Sequence, residues 1–498
     1  MGLIEGLPLH TYGLAVVAAL ALWAVYVFCG RKRRPGEPPL IKSWIPFLGE
    51  ALKFRNDSTG LLLSFKQKYG DNFTLYMTGK YITFLMNPLQ FGSIIRSNKH
   101  LEFEFSDQAG SKAFDFPPTV NEKFPELNEH LHRMYQYLLG KPLDTLSDKM
   151  MKTLQDLLKE RFSQATDWKM EKLHKFCFTL IFEASFRTLY GSDPDSCNAV
   201  DVIGDKFIKF DAKFPLLALK VPIAFLGSTK RIRKELIDFF YPKKMSKCLE
   251  VSEVVQNRMD LFEMYKQLGE YDKAAHHFAF MWASVANTIP ATFWAMYYLL
   301  RHPEALEVVR DEIDHLLQST GQKMGPGYSV CLTREQLDNL VYLESAVNES
   351  LRLCSSSLSV RSIKKDFMLK LEGNLEISLR KGDWIALFPA TVHMDPEVYE
   401  DPKNYKFDRY VEDGKRRTSF YKQGRKLKYF LMPFGFGSNI CPGRFFAVNE
   451  IKIFLFFLLS YFDVEIMEDK EVRSDKSRIG LGIKLPDSDV IFRYRVRS

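Results

Sequence analysis

The sequence predicts a mainly α fold with a minor β component. Three long stretches carry helical apolar spacing, at 272–300, 303–317 and from 333 to about 352. Short β-rich segments occur near 72–86, 367–377 and 490–497. No repeat, low-complexity tract or long linker interrupts residues 40–498. The first helix ends at Arg301-His302-Pro303, and the second opens on Pro303 and closes at Ser319-Thr320-Gly321. Thr333-Arg334-Glu335-Gln336 has capping-box form and opens the third.

At 498 residues, 46% of them hydrophobic, the chain can bury a large core, and 69 basic against 61 acidic residues is no nucleic-acid signature. The seven cysteines are unclustered and odd in number, which argues against a disulfide framework and against structural zinc.

Residues 14–29 are apolar without a break, and Arg31-Lys32-Arg33-Arg34 follows at once. About 16 residues at about 1.5 Å each fall slightly short of a hydrocarbon core, and Tyr12, Gly13 and Gly30 extend the run close to a span. The leading segment holds Glu5 and no Lys or Arg, unlike a cleaved signal. We therefore expect a membrane anchor and basic stop over 1–34 and a single catalytic domain over 35–498. By the positive-inside rule that domain faces the cytosol. Pro35-Gly36-Glu37-Pro38-Pro39 reads as a stiff hinge.

The most informative stretch is Phe434-Gly435-Phe436-Gly437-Ser438-Asn439-Ile440-Cys441-Pro442-Gly443, followed by an apolar helix. Paired glycines let backbone approach a flat ligand. A cysteine at a helix start has amide N–H groups and the positive dipole end on its sulfur, which favours thiolate. An anionic sulfur in an apolar pocket suits a haem-thiolate centre. Gly435-x-Gly437 lacks the preceding strand that a dinucleotide loop needs.

At these residues the chain resembles the cytochrome P-450 superfamily, whose haem loop has the form FxxGxRxCxG; Phe434, Gly437, Cys441 and Gly443 match. The resemblance implies haem b with Cys441 as its iron ligand, and Phe434, Gly435 and Gly443 in the cradle. Asn439 replaces the usual basic residue that binds a propionate. Glu349-Ser350-Leu351-Arg352 puts opposite charges on one helix face. With Phe407-Asp408-Arg409-Tyr410 it matches the family's ExxR and PxRF-like motifs in order, which implies a structural triad of Glu349, Arg352 and Arg409. Arg361 matches a propionate-binding position. The WxxxR motif is absent, with His132 and Arg133 as weak substitutes.

Pro290 removes the N–H that would bond the Ala286 carbonyl, so the helix should kink and open a polar notch for dioxygen and water. The family's acid and threonine on this helix correspond to Ala286 and Asn287. Proton delivery is therefore expected from Asn287, the Ala286 carbonyl, Thr288 or ordered water.

The hinge, the run 282–290 and Phe293-Trp294 are similar to the sterol 7α-hydroxylase, sterol 12α-hydroxylase and prostacyclin synthase group, and the run 295–305 to its oxysterol-acting members. The resemblance implies 7α-hydroxylation of oxysterols such as 25- and 27-hydroxycholesterol and of 3β-hydroxy-Δ5 steroids. It also implies electrons from NADPH through a cytochrome P-450 reductase, and residence in the endoplasmic reticulum membrane. By analogy the sterol meets Trp282, Ala283, Ala286, Asn287, Leu358, Val360 and Leu481. The basic cluster Lys415, Arg416, Arg417, Lys422, Arg425, Lys426 and Lys428 is a candidate docking face for an acidic reductase. Two other readings stay open: a haem-thiolate isomerase of the prostacyclin synthase kind, and a non-catalytic haem or sterol carrier.

Overall fold

Two β-branched and aromatic runs flank Thr78-Gly79, where φ values of +47° and +76° give the two-residue turn that matches strand twist. The computed structural model describes residues 23, 31–102, 105–119, 123–161, 167–194, 199–325 and 327–497. The proposed anchor run lies outside these, Trp23 apart; among the described residues no helix is long and apolar enough to cross a membrane. The chain divides into two compact units, residues up to 103 with 360–391, and 104–359 with 392–498.

The first unit is built on strands β1 (Leu40–Ile41), β2 (Asn72–Met77), β3 (Lys80–Leu85), β4 (Leu101–Glu102), β5 (Ser359–Ile363), β6 (Phe367–Lys370), β7 (Glu376–Leu379) and β8 (Trp384–Leu387). Six of them form a sheet in the order β1-β2-β3-β8-β5-β4, and β6 and β7 form a separate hairpin. β2 and β3 pair antiparallel, whereas β3 and β8 pair parallel. Phe73, Leu75, Phe84 and Leu85 are fully buried in this unit. The basic stop is partly consumed here: Arg31 pairs with Asp383 at 2.5 Å and lies over the Tyr81 ring, while Arg34 pairs with Asp366.

The second unit is helical. Its main elements are α1 (Gly140–Lys159), α2 (Leu173–Tyr190), α3 (Ala199–Asp211), α4 (Glu270–Val285), α5 (Thr288–Arg301), α6 (Pro303–Thr320), α7 (Val341–Cys354) and α8 (Arg444–Tyr461). α8 is apolar on nearly every face and is buried from Glu450 to Tyr461, as a central core helix must be. It packs on α1 and α5, and α5 packs on α2 and α7. The strand Ile491–Val496 lies between Phe462–Ile466 and Lys169–Lys172, antiparallel to both.

Gly321 in the left-handed region (φ +64°) closes α6. The capping box is present, with Gln336 N donating to Thr333 Oγ1 and Thr333 N to Gln336 Oε1. The helix it opens stops at Asp338, however, and restarts as α7. Glu312 of α6 accepts from the N–H groups of Tyr342 and Leu343, supplying α7 with a separate N-terminal anchor. The stretch read as one helix over 272–300 is likewise two, α4 and α5.

Candidate functional site

The cysteine loop folds back on itself. Cys441 N donates to Phe434 O at 2.9 Å, and Gly435 and Gly437 take φ values of +78° and +67°. Gly443 caps α8, so the sulfur faces the N-terminal end of that helix. Burial pushes the thiol pKa up, while the Gly443 N–H bonded to the sulfur and the Arg444 charge oppose that rise. A Cβ built on Gly443 meets nothing within 4 Å, and Gly435 passes close to Ser359 Oγ. A partly exposed cysteine with an amide on its sulfur, beside Gly443 where a Cβ would meet open space, fits a thiolate that would ligate a haem iron.

The three charged motif residues meet. Arg352 donates to both oxygens of Glu349 at 2.7 and 2.8 Å, and Arg409 Nε donates to Glu349 Oε1 at 2.8 Å. Glu349 and Arg352 are fully buried, so the pairing is tolerable only because the remaining donors are used. Arg352 Nη1 bonds the carbonyls of His393 and Pro402, and Arg409 bonds those of Glu400, Asp401 and Asn404. His393 carries the arrangement to the cysteine loop, because its Nε2 accepts from Met432 N at 3.1 Å and Gly435 N bonds Met432 O. Burial and the neighbouring Arg352 push the His393 pKa down to about 3, which keeps Nε2 an acceptor.

The break between α4 and α5 falls at Ala286-Asn287, as Pro290 requires. The Ala286 carbonyl is not free. Arg478 Nη1 donates to it at 2.8 Å, because a bare buried carbonyl would cost about 1–3 kcal/mol. Arg478 Nη2 pairs with Asp211 Oδ1 at 2.7 Å, and the same oxygen accepts from Trp282 Nε1 at 2.8 Å. The Thr288 hydroxyl is also engaged, donating to Ser284 O. These bonds correct the expectation of a free Ala286 carbonyl and an available Thr288 donor.

Asn287 Oδ1 accepts from Ile483 N at 3.0 Å, which ties the break to the turn 478–484. That turn lies along 354–358: Ser356 N donates to Gly482 O, and Leu358 N to Gly480 O. Trp282, Ala286, Asn287, Leu358 and Leu481 thus belong to one bonded assembly. Ala283 is exposed although Met281 and Val285 beside it are buried, so it faces open space on α4. Val360 and Arg361 belong to the first unit, in β5, where burial pushes the Arg361 guanidinium down to about 10. His132 and Arg133 are exposed on the helix Leu127–Met134, with Arg133 3.8 Å from Glu129.

The basic cluster is less of a surface than its composition suggests. Lys422 is buried between Asp395 and Glu397 at 2.7 Å each, and Arg416 pairs with Glu344. Lys415, Arg425, Lys426 and Lys428 are exposed. Sequence reasoning missed Asp211 and Arg478. Neither stands in a local pattern, and their partners lie 71 to 267 residues away.

The family model for cytochrome P-450 matches residues 38–492. The chain belongs to the cytochrome P-450 family. It is 47% identical over 494 residues to cytochrome P-450 7B1 of Mus musculus, covering 99% of this chain and 97% of that protein. It is 45% identical over 413 residues to 25-hydroxycholesterol 7-alpha-hydroxylase of Rattus norvegicus, covering 82% and 99%. To cholesterol 7-alpha-monooxygenase of Cricetulus griseus it is 38% identical over 499 residues, covering 98% of each.

Proposed function

We propose that this protein is a sterol monooxygenase that hydroxylates oxysterols, and 3β-hydroxy-Δ5 steroids, at the 7α position. Electrons come from NADPH through a cytochrome P-450 reductase, and the enzyme works at the endoplasmic reticulum membrane with its catalytic body on the cytosolic face. The observation that carries the reading is Cys441, with the Gly443 N–H on its sulfur, in a loop braced by the Glu349–Arg352–Arg409 network. The likeness to proteins named 25-hydroxycholesterol 7-alpha-hydroxylase and cholesterol 7-alpha-monooxygenase, over 82% and 98% of this chain, supports the substrate class.

Cys441 is the residue to hold a haem iron, with Phe434, Gly435 and Gly443 as the cradle and Arg361 as a propionate partner. A haem so held supplies oxygen activation, which electron donation from a thiolate favours. The chain's own residues bind and orient the sterol. Trp282, Ala283, Ala286, Asn287, Leu358, Val360 and Leu481 are the proposed contacts. Asn287 is the proposed proton-handling group: its Oδ1 is committed to Ile483 N, so the carboxamide is fixed with its NH2 as the remaining donor. With Ala286 O and Thr288 Oγ1 both engaged, Asn287 takes over the part expected of all three.

The absence of a carboxylate beside Asn287 on this helix also suits an isomerase, which needs no reductase. One experiment separates the readings: product analysis after reconstitution with reductase and NADPH, supplying 25-hydroxycholesterol. We expect an NADPH-dependent product one oxygen heavier, substituted at 7α. Conversion without NADPH, or to an isomer of unchanged mass, would favour the isomerase; binding without conversion would favour a carrier.

A further inference from the structure

We infer that Asp211 and Arg478 are positioning residues: they hold the Trp282 indole and the α4–α5 break in the one arrangement that grips the sterol. The inference rests on the sterol reading proposed above. Pro290 makes the Ala286 carbonyl an acceptor with no helical donor, and the chain meets it from outside the helix. Arg478 is 2% exposed and uses two nitrogens of one planar fork, Nη1 on Ala286 O and Nη2 on Asp211 Oδ1. Asp211 is the last residue of α3, so the guanidinium joins three separate parts of the chain: α3, the helix break and the turn 478–484.

The same carboxylate oxygen accepts from the Trp282 indole N–H. The indole ring lies against Phe214 with centroids 3.9 Å apart and against Phe114 at 5.3 Å, so bond and packing together leave it one orientation. Among the described residues Arg478 Nε is buried without a hydrogen-bond partner, a cost that an apolar side chain of similar volume would avoid if packing were the only role. A buried pair retained here is therefore explained by what it orients, which is Trp282 and, through Ala286, its neighbour Asn287.

The test uses the full-length, haem-loaded enzyme and reads the dissociation constant of 25-hydroxycholesterol from the sterol-induced shift of the haem absorbance. A thiolate-type spectrum of the reduced carbonyl complex first certifies each variant as folded. Asp211→Asn and Trp282→Phe should each weaken sterol binding about tenfold, the scale of one hydrogen bond to a charged group. The double variant should fall short of additivity, because Asp211→Asn weakens, as a neutral acceptor, the same bond whose donor Trp282→Phe removes. Arg478→Lys should not rescue, since one ammonium cannot reproduce both ends of the fork. Trp282→Phe keeps an aromatic ring beside Phe214, loses the N–H with the five-membered ring, and leaves Asp211 and Arg478 in place, so it stays informative if Asp211→Asn fails to fold. A wild-type shift that is unchanged in folded Trp282→Phe or Arg478→Lys, or strict additivity in the double variant, overturns the inference alone. No shift in the wild type overturns the sterol reading and this inference with it.

Discussion

Glu450 in α8 is fully enclosed, and Ser185 Oγ donates to its carboxyl at 2.7 Å. Burial pushes its pKa from the ordinary 4.5 up to about 8, a rise the Ser185 bond only partly opposes. The folded state therefore keeps a proton that the unfolded chain releases above 4.5. This group's stabilising effect is complete below pH 4.5 and is lost as pH rises through about 8. Glu450→Gln keeps the acceptor and removes the ionisation. It should be more stable than wild type by up to about 4 kcal/mol at pH 8, with the gap closing on acidification. Denaturant midpoints at pH 5 and pH 8 check this; a gap that is the same at both pH values would contradict it. At this scale the sequence was legible where chemistry comes with spacing, as for Cys441 and Glu349-x-x-Arg352. It was silent on Glu450, because a lone acid in an apolar helix carries no pattern that says whether it faces water.

The helix break shows how far an element can be read from its own residues. Pro290 predicts that a helical bond is missing, and the structure has its break there. What satisfies the exposed carbonyl lies 192 residues away at Arg478, beyond any local signal. The 333–352 stretch fails for a similar reason, since Glu312 on another helix decides where α7 begins. Lys422, read as part of a basic docking face, is instead enclosed by two acids that the fold brings to it. The turn 478–484 has its own sharp requirement at Gly482. Its φ is +132°, and a Cβ there would sit 2.4 Å from Asn287 Oδ1. Gly482→Ala should displace the Asn287 carboxamide, cost about 1–3 kcal/mol in stability and weaken the sterol-induced absorbance shift. Sterol titration of the variant at wild-type affinity would contradict this account of the turn.

For the whole molecule, the mainly α class and the three β-rich segments were readable because long 3.6-residue periods and short β-branched runs are separate signals. The small sheet of the second unit was not foreseen in full, because Lys169–Lys172 is polar and pairs only where Ile491–Val496 offers an edge. Membership of the cytochrome P-450 family, matched over 38–492, joins these elements to one chemistry. Its centre is the claim that Cys441 is the iron ligand in a haem-thiolate enzyme. The measurement that tests this most directly is the absorbance of the reduced carbonyl complex in wild type and in Cys441→Ala. We predict a thiolate-type spectrum in the wild type and its complete loss in the variant, because alanine puts a methyl group where the proposed sulfur ligand stands at the start of α8. A thiolate-type spectrum surviving in Cys441→Ala would contradict the account.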